Sequence, residues 1–316
     1  MYRRQFLASS SAAAAAATLA AGPLPAAAES RDARRPPVVV FTKSFQNWPL
    51  SWVAQAFDKL GVDGFDLTVR PGGSIEPEDA AAKLPAAIAD AKNYGLNVLF
   101  LTTAITDAGP GADRLMGVAA ENGVTTLKVG YFRQRGAPLA KRLDEVRATL
   151  EKIGTLAEKH GITACVHTHS GDYLPSHGTM LYSLLKDLPP EQIGAYVDTL
   201  HMHAEGGEAG WRQGLELLAP WIRLCAVKNY RREPNGRDAS GMAKYRKRVV
   251  PVADGFSPIP AFVNELKKWG FAGPFSLHSE YKGGDSWKRL KDDEVLDQTR
   301  RDWEFFRSVL DTAYRV

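Results

Sequence analysis

The chain has 316 residues, of which 44% are hydrophobic and 24% charged, and its formal net charge is +4. So small a positive surplus argues against nucleic acid or a membrane surface as its partner. The length can bury a sizeable core and fits one α/β barrel, typically about 250 residues, better than two small domains.

Residues 1–28 have the composition of a targeting segment. Arg3-Arg4-Gln5-Phe6-Leu7 resembles a twin-arginine export motif, and Ala26-Ala27-Ala28 offers a small-residue cleavage site. The stretch between them is too rich in Ala and Ser for a membrane anchor, which needs about 20 strongly apolar residues. We therefore expect a twin-arginine signal peptide over 1–28, use of the twin-arginine export machinery, a mature domain over 29–316, and a periplasmic or secreted location. Losing the two arginines lowers the net charge from +4 to +2.

The mature part alternates short apolar runs with amphipathic segments of helical period, which is the pattern of βα units around a parallel sheet. Eight runs are strand candidates: 38–42, 64–69, 97–102, 125–131, 163–168, 194–197, 223–227 and 275–277. Eight is the strand number of a closed (β/α)8 barrel. We therefore predict an α/β fold consisting of a single (β/α)8 TIM barrel.

Helical segments fill the connections between these runs. The clearest one starts at Leu139, where apolar residues recur at steps of three and four up to Ala157, and Gly161 supplies a stop. Further helices are predicted over 52–60, 78–94, 111–122, 181–187, 210–219, 258–269 and 293–313. The connection 231–257 contains seven basic residues and is expected to be irregular. It is either a solvated basic loop or a lid that attracts an anionic or polar substrate.

Titratable residues are concentrated directly after the sixth predicted strand. Asp198, His201, His203 and Glu205 lie within eight residues of one another. No helix is predicted between Asp198 and residue 210. In parallel α/β proteins the carboxyl ends of the strands are where chemistry is done. We therefore expect this segment to form part of an active site.

Other predicted strands end in residues of the same kind. Side chains two residues apart in a strand face the same side, so His167 pairs with His169, and His278 with Glu280. Lys228 follows the seventh strand. Only a barrel brings these strand ends to one mouth, and metal or acid–base chemistry needs such convergence.

Five motifs, by their order and spacing, resemble the xylose isomerase-like barrel superfamily, in particular its exported members named sugar phosphate isomerases/epimerases. The likeness covers essentially the whole mature chain. The motifs are Leu60-Gly-Val-Asp-Gly-Phe-Asp-Leu67, Val166-His-Thr-His169, Asp198-Thr-Leu-His201, Val227-Lys-Asn229 and Gly270-Phe-Ala-Gly-Pro-Phe-Ser-Leu-His-Ser-Glu-Tyr281.

The resemblance implies a divalent metal held by a fifth-strand Glu, a sixth-strand Asp, a seventh-strand His and an eighth-strand Glu. Here only Asp198 matches, because His167, Ala226 and His278 take the other positions. We expect His167, Asp198 and His278 to be the metal ligands, a set that suits Mn²⁺, Fe²⁺, Co²⁺ or Zn²⁺ better than Mg²⁺. A metal-free site is the open alternative, in which Lys228 would stabilise an enolate oxygen.

The chemistry that the resemblance implies is proton transfer next to a sugar carbonyl, through an enediolate. Such a reaction needs a base, a cation and an acid. We expect Glu280 to act as the base, Lys228 to supply positive charge, and His169 to serve as acid or as a contact for substrate hydroxyls.

Three further residues are predicted to bind substrate. Arg70, after the second strand, can clamp a carboxylate or hydroxyls, and a structural bridge to Asp66 is its alternative. His201 is expected to contact the substrate, and Lys43, like Lys128, is a further candidate at a strand end.

These expectations define three functions from different classes. The first is an isomerase or epimerase of a non-phosphorylated sugar or keto-sugar, and the second is a lyase or hydratase that uses the same enolate. The third is a non-catalytic carbohydrate-binding barrel. In each case the partner is a small carbohydrate, and a homodimer is an open expectation.

Overall fold

A computed structural model describes residues 30–315. Eight parallel strands close into a barrel in which each strand pairs with its neighbours in sequence, and the last pairs with the first. The strands are β1 (Val38–Phe41), β2 (Gly64–Thr68), β3 (Asn97–Thr102), β4 (Thr126–Lys128), β5 (Thr163–His167), β6 (Ile193–Asp198), β7 (Ile222–Val227) and β8 (Phe275–Leu277). The predicted (β/α)8 fold is confirmed.

Helices surround the barrel and alternate with its strands. They are α1 (Leu50–Leu60), α2 (Ala80–Asn93), α3 (Pro110–Glu121), α4 (Leu139–Lys159), α5 (Gly178–Leu185), α6 (Thr199–Leu218), α7 (Ile259–Lys268) and α8 (Asp292–Tyr314). In α4 the predicted apolar face is the buried one, with Val146, Leu150, Ile153 and Ala157 fully buried. Truncating such a residue, as in Leu150→Ala, typically costs about 2–5 kcal/mol.

The strands are apolar because a parallel barrel buries both of their faces. All four residues of β1 are buried, and Val39 pairs with Gly64 while Val38 pairs with Phe275. Gly64 is required where β2 meets β3, since a Cβ there would lie 1.8 Å from the carbonyl oxygen of Asn97. The alternation of inward and outward side chains then directs each strand-end residue into or away from the barrel.

The segment after β6 differs from the prediction, because α6 begins at Thr199 rather than near residue 210. Asp198 is the N-cap of this helix, and its Oδ1 accepts a hydrogen bond of 2.8 Å from the backbone N–H of His201. The helix is kinked at Gly207, where φ is 61°. The N-cap fixes the orientation of the Asp198 carboxylate at the barrel mouth.

The basic connection also differs from the prediction, because it is not irregular. Its two halves, Asn229–Arg237 and Ala243–Val250, form an antiparallel pair that we call the basic hairpin. Arg231 stands opposite Arg248, and Glu233 relieves this repulsion with an ion pair of 3.2 Å to Arg248. Most of its residues are exposed and polar or charged, so the sequence lacks the alternation of apolar and polar residues that indicates a strand.

The predicted signal peptide lies outside the described residues, and its role in export stays a prediction. Between residues 30 and 315, no helix combines the length and the apolar character that crossing a membrane demands. The chain enters the barrel through a buried ion pair of 2.9 Å between Arg35 and Asp63, whose carboxylate also accepts the N–H of Val38 at the start of β1.

Candidate active site

The carboxyl ends of the barrel strands form a polar mouth that contains every residue predicted for the site. These are Lys43 after β1, Arg70 after β2, His167 and His169 at β5, Asp198 and His201 at β6, Lys228 after β7, and His278 and Glu280 after β8. Most of them are buried, so their charges and hydrogen bonds are set by one another rather than by water.

An alternating chain of charges crosses one side of this mouth. The Lys228 ammonium donates to Glu280 Oε2 at 3.1 Å and lies 3.3 Å from Asp198 Oδ2. Glu280 Oε1 accepts from the ammonium of Lys43 at 2.5 Å. The side chains of Asp198 and Lys228 are almost completely buried, whereas that of Lys43 is 45% exposed. The inner pair is therefore protected from solvent screening and the outer pair is not.

The pairing keeps these groups ionised. Burial alone would lower the pKa of Lys228, but the carboxylates of Asp198 and Glu280 outweigh it and raise that pKa above its usual range. Burial would raise the pKa values of Asp198 and Glu280, but Lys228 is the main cause that holds both well below their usual range. A fixed ammonium between two carboxylates is thus present at neutral pH.

His167 is oriented by hydrogen bonds on both ring nitrogens. Its Nε2 lies 3.1 Å from Asp198 Oδ2, its Nδ1 lies 3.0 Å from the hydroxyl of Tyr131, and its ring stacks on Tyr196 at 4.3 Å. Burial lowers its pKa to about 3 despite the opposing effect of Asp198. From these contacts we infer a neutral imidazole that donates from Nε2 to Asp198 and accepts at Nδ1.

His169 and His201 pack together, with ring centroids 4.0 Å apart. His201 Nδ1 lies 2.8 Å from Ser170 Oγ, which Lys247 of the basic hairpin also contacts. Its Nε2 is buried without a hydrogen-bond partner in the described chain. Burial, followed by the charge of Lys228, lowers the pKa of His169 to about 3 and that of His201 well below its usual range. Both rings are neutral at physiological pH.

His278 is directed into the barrel rather than towards His167. Its Nε2 lies 2.8 Å from the hydroxyl of Tyr196 and 3.6 Å from Asp66 Oδ2. Asp66 Oδ2 also accepts from the hydroxyls of Tyr196 at 3.2 Å and Ser276 at 2.8 Å. The other nitrogen of His278, Nδ1, is buried without a hydrogen-bond partner and lies 3.8 Å from Glu280 Oε2.

These contacts fit a metal poorly. Of the predicted ligands, His167 and Asp198 touch, but the rings of His167 and His278 are 5.8 Å apart and the latter faces Tyr196. Within residues 30–315, no three His, Cys, Asp or Glu side chains are grouped as metal ligands would be. The position between the carboxylates belongs to the Lys228 ammonium. We derive no catalytic step through a metal, and metal binding stays a prediction.

Arg70 and Lys128 occupy another side of the mouth. Neither makes an ion pair within the described chain, so the alternative bridge from Arg70 to Asp66 is not formed there. The Nε of Arg70 is buried without a hydrogen-bond partner. Lys128 is 2% exposed, and its Nζ lies 3.4 Å from the centre of the Tyr131 ring. Burial, followed by the charge of Arg70, lowers the pKa of Lys128 to about 7.

The sequence interpretation missed three residues that shape the mouth. Tyr131 and Tyr196 hold the histidines in place, and Lys247 reaches Ser170 from the basic hairpin. Tyr196 could have been found, because it precedes Asp198 by two residues in β6 and therefore points to the same side. Nothing in the sequence indicates that Lys247 turns inward from its run of basic neighbours.

A cavity of about 690 Å³ lies at the opposite, amino end of the barrel. Segments before β3, β4 and β7 line it, together with Trp269 and Phe271. Among its described lining residues, the charged ones are Lys92 and Arg223, and no carboxylate or imidazole faces it. This end lacks groups for acid–base chemistry, so the polar mouth is the candidate active site.

Solved structures support the fold. The chain superimposes on L-ribulose 3-epimerase with a TM-score of 0.67 and 16% identity, covering 89% of this chain and 96% of that one. For D-psicose 3-epimerase in the presence of D-fructose the TM-score is 0.64, with 16% identity and coverage of 87% and 99%. A xylose isomerase-like TIM barrel protein from Mycobacterium smegmatis in complex with magnesium gives 0.60, with 18% identity and coverage of 88% and 98%.

At these identities the likeness shows the fold alone. No curated protein sequence matches the chain significantly. A family model described as xylose isomerase-like TIM barrel matches residues 54–309, which include seven of the eight barrel strands and most of the polar mouth. The chain therefore belongs to the xylose isomerase-like TIM barrel family.

Proposed function

We propose that this protein is an isomerase of a non-phosphorylated sugar or keto-sugar that moves a proton next to the carbonyl through an enediolate. One observation carries the proposal: the buried Lys228 ammonium is held between Asp198 and Glu280 at the barrel mouth. A cation and a base are thereby placed side by side, as enolisation requires. The solved sugar epimerases of the same fold act on substrates of this kind by their names.

Lys228 supplies the positive charge. An ammonium has three donors; one points to Glu280, and Asp198 forms an ion pair with it at 3.3 Å, so at least one N–H is left for a substrate oxygen. As the carbon-bound proton leaves, negative charge develops on the carbonyl oxygen, and a fixed ammonium in a site shielded from water stabilises it strongly. Asp198 acts through Lys228, because it holds the ammonium in position and keeps it protonated.

Glu280 is the proposed base. Its carboxylate is ionised, which is the state needed to accept a proton, but its two ion pairs make it a weak base at rest. The contact with half-exposed Lys43 is the one that a substrate can displace at low cost. Losing that contact raises the pKa of Glu280 and strengthens the base when substrate is bound.

Isomerisation is favoured over epimerisation and elimination. In isomerisation one carboxylate can take the carbon-bound proton and return it to the neighbouring carbon, while the Lys228 ammonium gives a proton to the carbonyl oxygen and regains one from the neighbouring hydroxyl. Epimerisation needs an acid on the opposite face, and elimination needs an acid for the leaving oxygen. His167, His169 and His201 are neutral at physiological pH because their pKa values are lowered. In this proposal His169 and His201 contact substrate hydroxyls, and do not serve as acids in the resting site.

Solvent exchange tests the proposal. The protein is incubated in heavy water with a panel of neutral and acidic keto-sugars that includes D-fructose, and deuterium incorporation next to the carbonyl is measured by NMR. We expect Glu280→Gln to lower the exchange rate by about 10²–10⁴-fold, the usual contribution of a positioned base. Glu151→Gln, on the exposed face of α4, is the matched control.

Two outcomes would contradict the proposal. Exchange that persists in the Glu280→Gln variant would remove this carboxylate from the role of base. Binding of panel sugars without any exchange in the unmodified protein would instead support a non-catalytic carbohydrate-binding barrel.

A further inference from the structure

We propose that Arg70 and Lys128 form a subsite for a carboxylate on the substrate, so that the preferred substrate is an acidic sugar rather than a neutral one. This inference rests on the proposed function, because it assigns the substrate class of the same mouth. It concerns two cations on the side of β2 to β4 to which the proposed mechanism gives no role.

Arg70 and Lys128 both lack a counter-charge within the described chain. Lys43 and Lys228 are both paired with Glu280, but neither Arg70 nor Lys128 has a carboxylate within ion-pair distance among residues 30–315. Lys128 is 2% exposed. Burying an unpaired charge costs several kcal/mol in a folded protein. The buried ammonium of Lys128, beside an Arg70 whose Nε is buried without a hydrogen-bond partner, implies a counter-charge that arrives with the ligand.

Arg70 and Lys128 belong to strand ends on the same side of the mouth. Thr68 at the end of β2 pairs with Thr102 of β3, and Thr102 pairs with Lys128 at the end of β4, so the three strands end level with one another. Arg70 follows Thr68 by two residues, and its backbone N–H is fixed by a hydrogen bond of 3.0 Å to the carbonyl of Ile75. The charge of Arg70 is, after burial, the largest cause that lowers the pKa of Lys128.

Asp66 attracts Lys128 electrostatically but forms no ion pair with it in the described chain. Its Oδ1 accepts from the hydroxyl of Thr102 at 2.5 Å, and its Oδ2 accepts from Tyr196 and Ser276. Each of its two oxygens is thus already hydrogen-bonded to a neutral donor. The remaining charges that act on Lys128 are the cations Lys228 and Lys43, which repel it.

The Tyr131 ring completes the subsite. It lies 3.4 Å from Lys128 Nζ, and the face of an aromatic ring attracts an ammonium without neutralising its charge. Tyr131 thus positions the amine while leaving its N–H groups free to donate. A planar carboxylate suits the fork of an arginine guanidinium together with one further donor. With its carboxylate bound here, an acidic keto-sugar would present its carbonyl to Lys228.

The test uses fragments, so that it does not depend on knowing the sugar. D-glycerate carries a carboxylate, glycerol is its neutral counterpart, and glycerol 3-phosphate carries the other common anion of sugars. The protein is labelled with lysine carrying ¹³C at Cε, and the pKa of Lys128 is followed by NMR after assignment with Lys128→Met. Binding of each fragment is measured in parallel by NMR titration.

We expect D-glycerate to raise the pKa of Lys128 from about 7 towards its ordinary value, because a bound carboxylate favours the ammonium. Glycerol should leave that pKa unchanged. Lys128→Met and Arg70→Gln should each weaken the binding of D-glycerate by on the order of tenfold in Kd, which corresponds to one hydrogen bond to a charged group. Lys92→Met, at the other end of the barrel, makes the same change in net charge and should not weaken the binding of D-glycerate.

Equal binding of D-glycerate and glycerol, or an unchanged pKa of Lys128 with D-glycerate, would overturn the proposal. Tighter binding of glycerol 3-phosphate than of D-glycerate would overturn the assignment of the subsite to a carboxylate and would indicate a phosphate subsite instead. None of these results depends on turnover. Deuterium exchange by Glu280 can therefore succeed while the subsite fails, and the reverse also holds.

Discussion

The two sides of the barrel mouth carry similar charges in opposite settings. On the side of β6 to β8, the buried ammonium of Lys228 lies between Asp198 and Glu280. On the side of β2 to β4, Lys128 is equally buried, but no carboxylate within residues 30–315 pairs with it. We call these the paired side and the unpaired side. The paired side is complete without a ligand, whereas the unpaired side has a charge that only a ligand can balance.

The difference is visible in the pKa values of the two lysines. That of Lys228 is raised above its ordinary value because two carboxylates outweigh burial. That of Lys128 is lowered to about 7, because burial and the charge of Arg70 outweigh the attraction of Asp66. The same residue type at two separate strand ends thus stabilises the fold on one side and destabilises it on the other.

The largest expected effect comes from breaking the paired side with Lys228→Met. This change leaves the buried carboxylate of Asp198 without its ammonium, and such a loss typically costs about 3–5 kcal/mol of unfolding free energy. Deuterium exchange should also fall by about 10²–10³-fold, because the cation for the enolate is gone. Urea unfolding at pH 7 measures the first quantity and NMR in heavy water the second.

Lys43→Met is the control for that variant, because Lys43 contacts the same carboxylate from a half-exposed position. An exposed ion pair contributes about 0–1 kcal/mol, so the unfolding free energy of Lys43→Met should be close to that of the unmodified protein. If both variants lost the same unfolding free energy, the distinction between the inner and the outer ion pair would be wrong.

How far the sequence predicts this molecule differs between the scaffold and the site. All eight strands were predicted. A buried parallel strand appears in the sequence as a continuous apolar run, and the residues on either side of the run mark its ends. The start of α6 was missed, because Asp198 acts both as strand-end residue and as N-cap, so the helix follows the strand without an intervening loop. The strands of the basic hairpin were missed because their exposed side chains carry no apolar alternation.

Within the site, the sequence predicts which residues meet but not which atoms pair. The alternation of side-chain direction along each strand predicted that His167, Asp198 and His278 lie at one mouth. It does not indicate that His278 turns to Tyr196 and Asp66, or that Lys228 lies between two carboxylates. Those choices depend on distances across the barrel, which no local pattern contains. The same is true of the neutral state of the histidines, which follows from burial.

An effect of opposite sign is expected on the unpaired side. Lys128→Met removes a cation that burial disfavours, so the variant should be more stable than the unmodified protein at pH 7. The pKa of Lys128 is about 7 in the folded state and 10.5 ordinarily. Between these values the unfolded chain binds more protons, so the unmodified protein gains stability as pH rises, by up to about 1.4 kcal/mol per pH unit.

The advantage of the Lys128→Met variant should therefore be largest near pH 7, shrink as pH rises, and level off below the folded pKa. Urea unfolding at several pH values between 6 and about 10 gives this difference directly, and Lys92→Met provides the comparison for an exposed lysine. A constant difference across that range would show that Lys128 titrates normally and that the unpaired side has a counter-charge after all.

The smallest effect is expected at the basic hairpin, from Lys247→Met. Lys247 contacts the neutral hydroxyl of Ser170, and burial, followed by the charge of Lys228, lowers the pKa of the Lys247 ammonium. A hydrogen bond of this kind contributes about 0.5–1.5 kcal/mol, and removing a partly buried, repelled cation offsets part of that. The unfolding free energy should therefore change by less than about 1 kcal/mol in urea. A loss as large as that of Lys228→Met would make Lys247 a member of the paired side, because only a carboxylate partner could account for it.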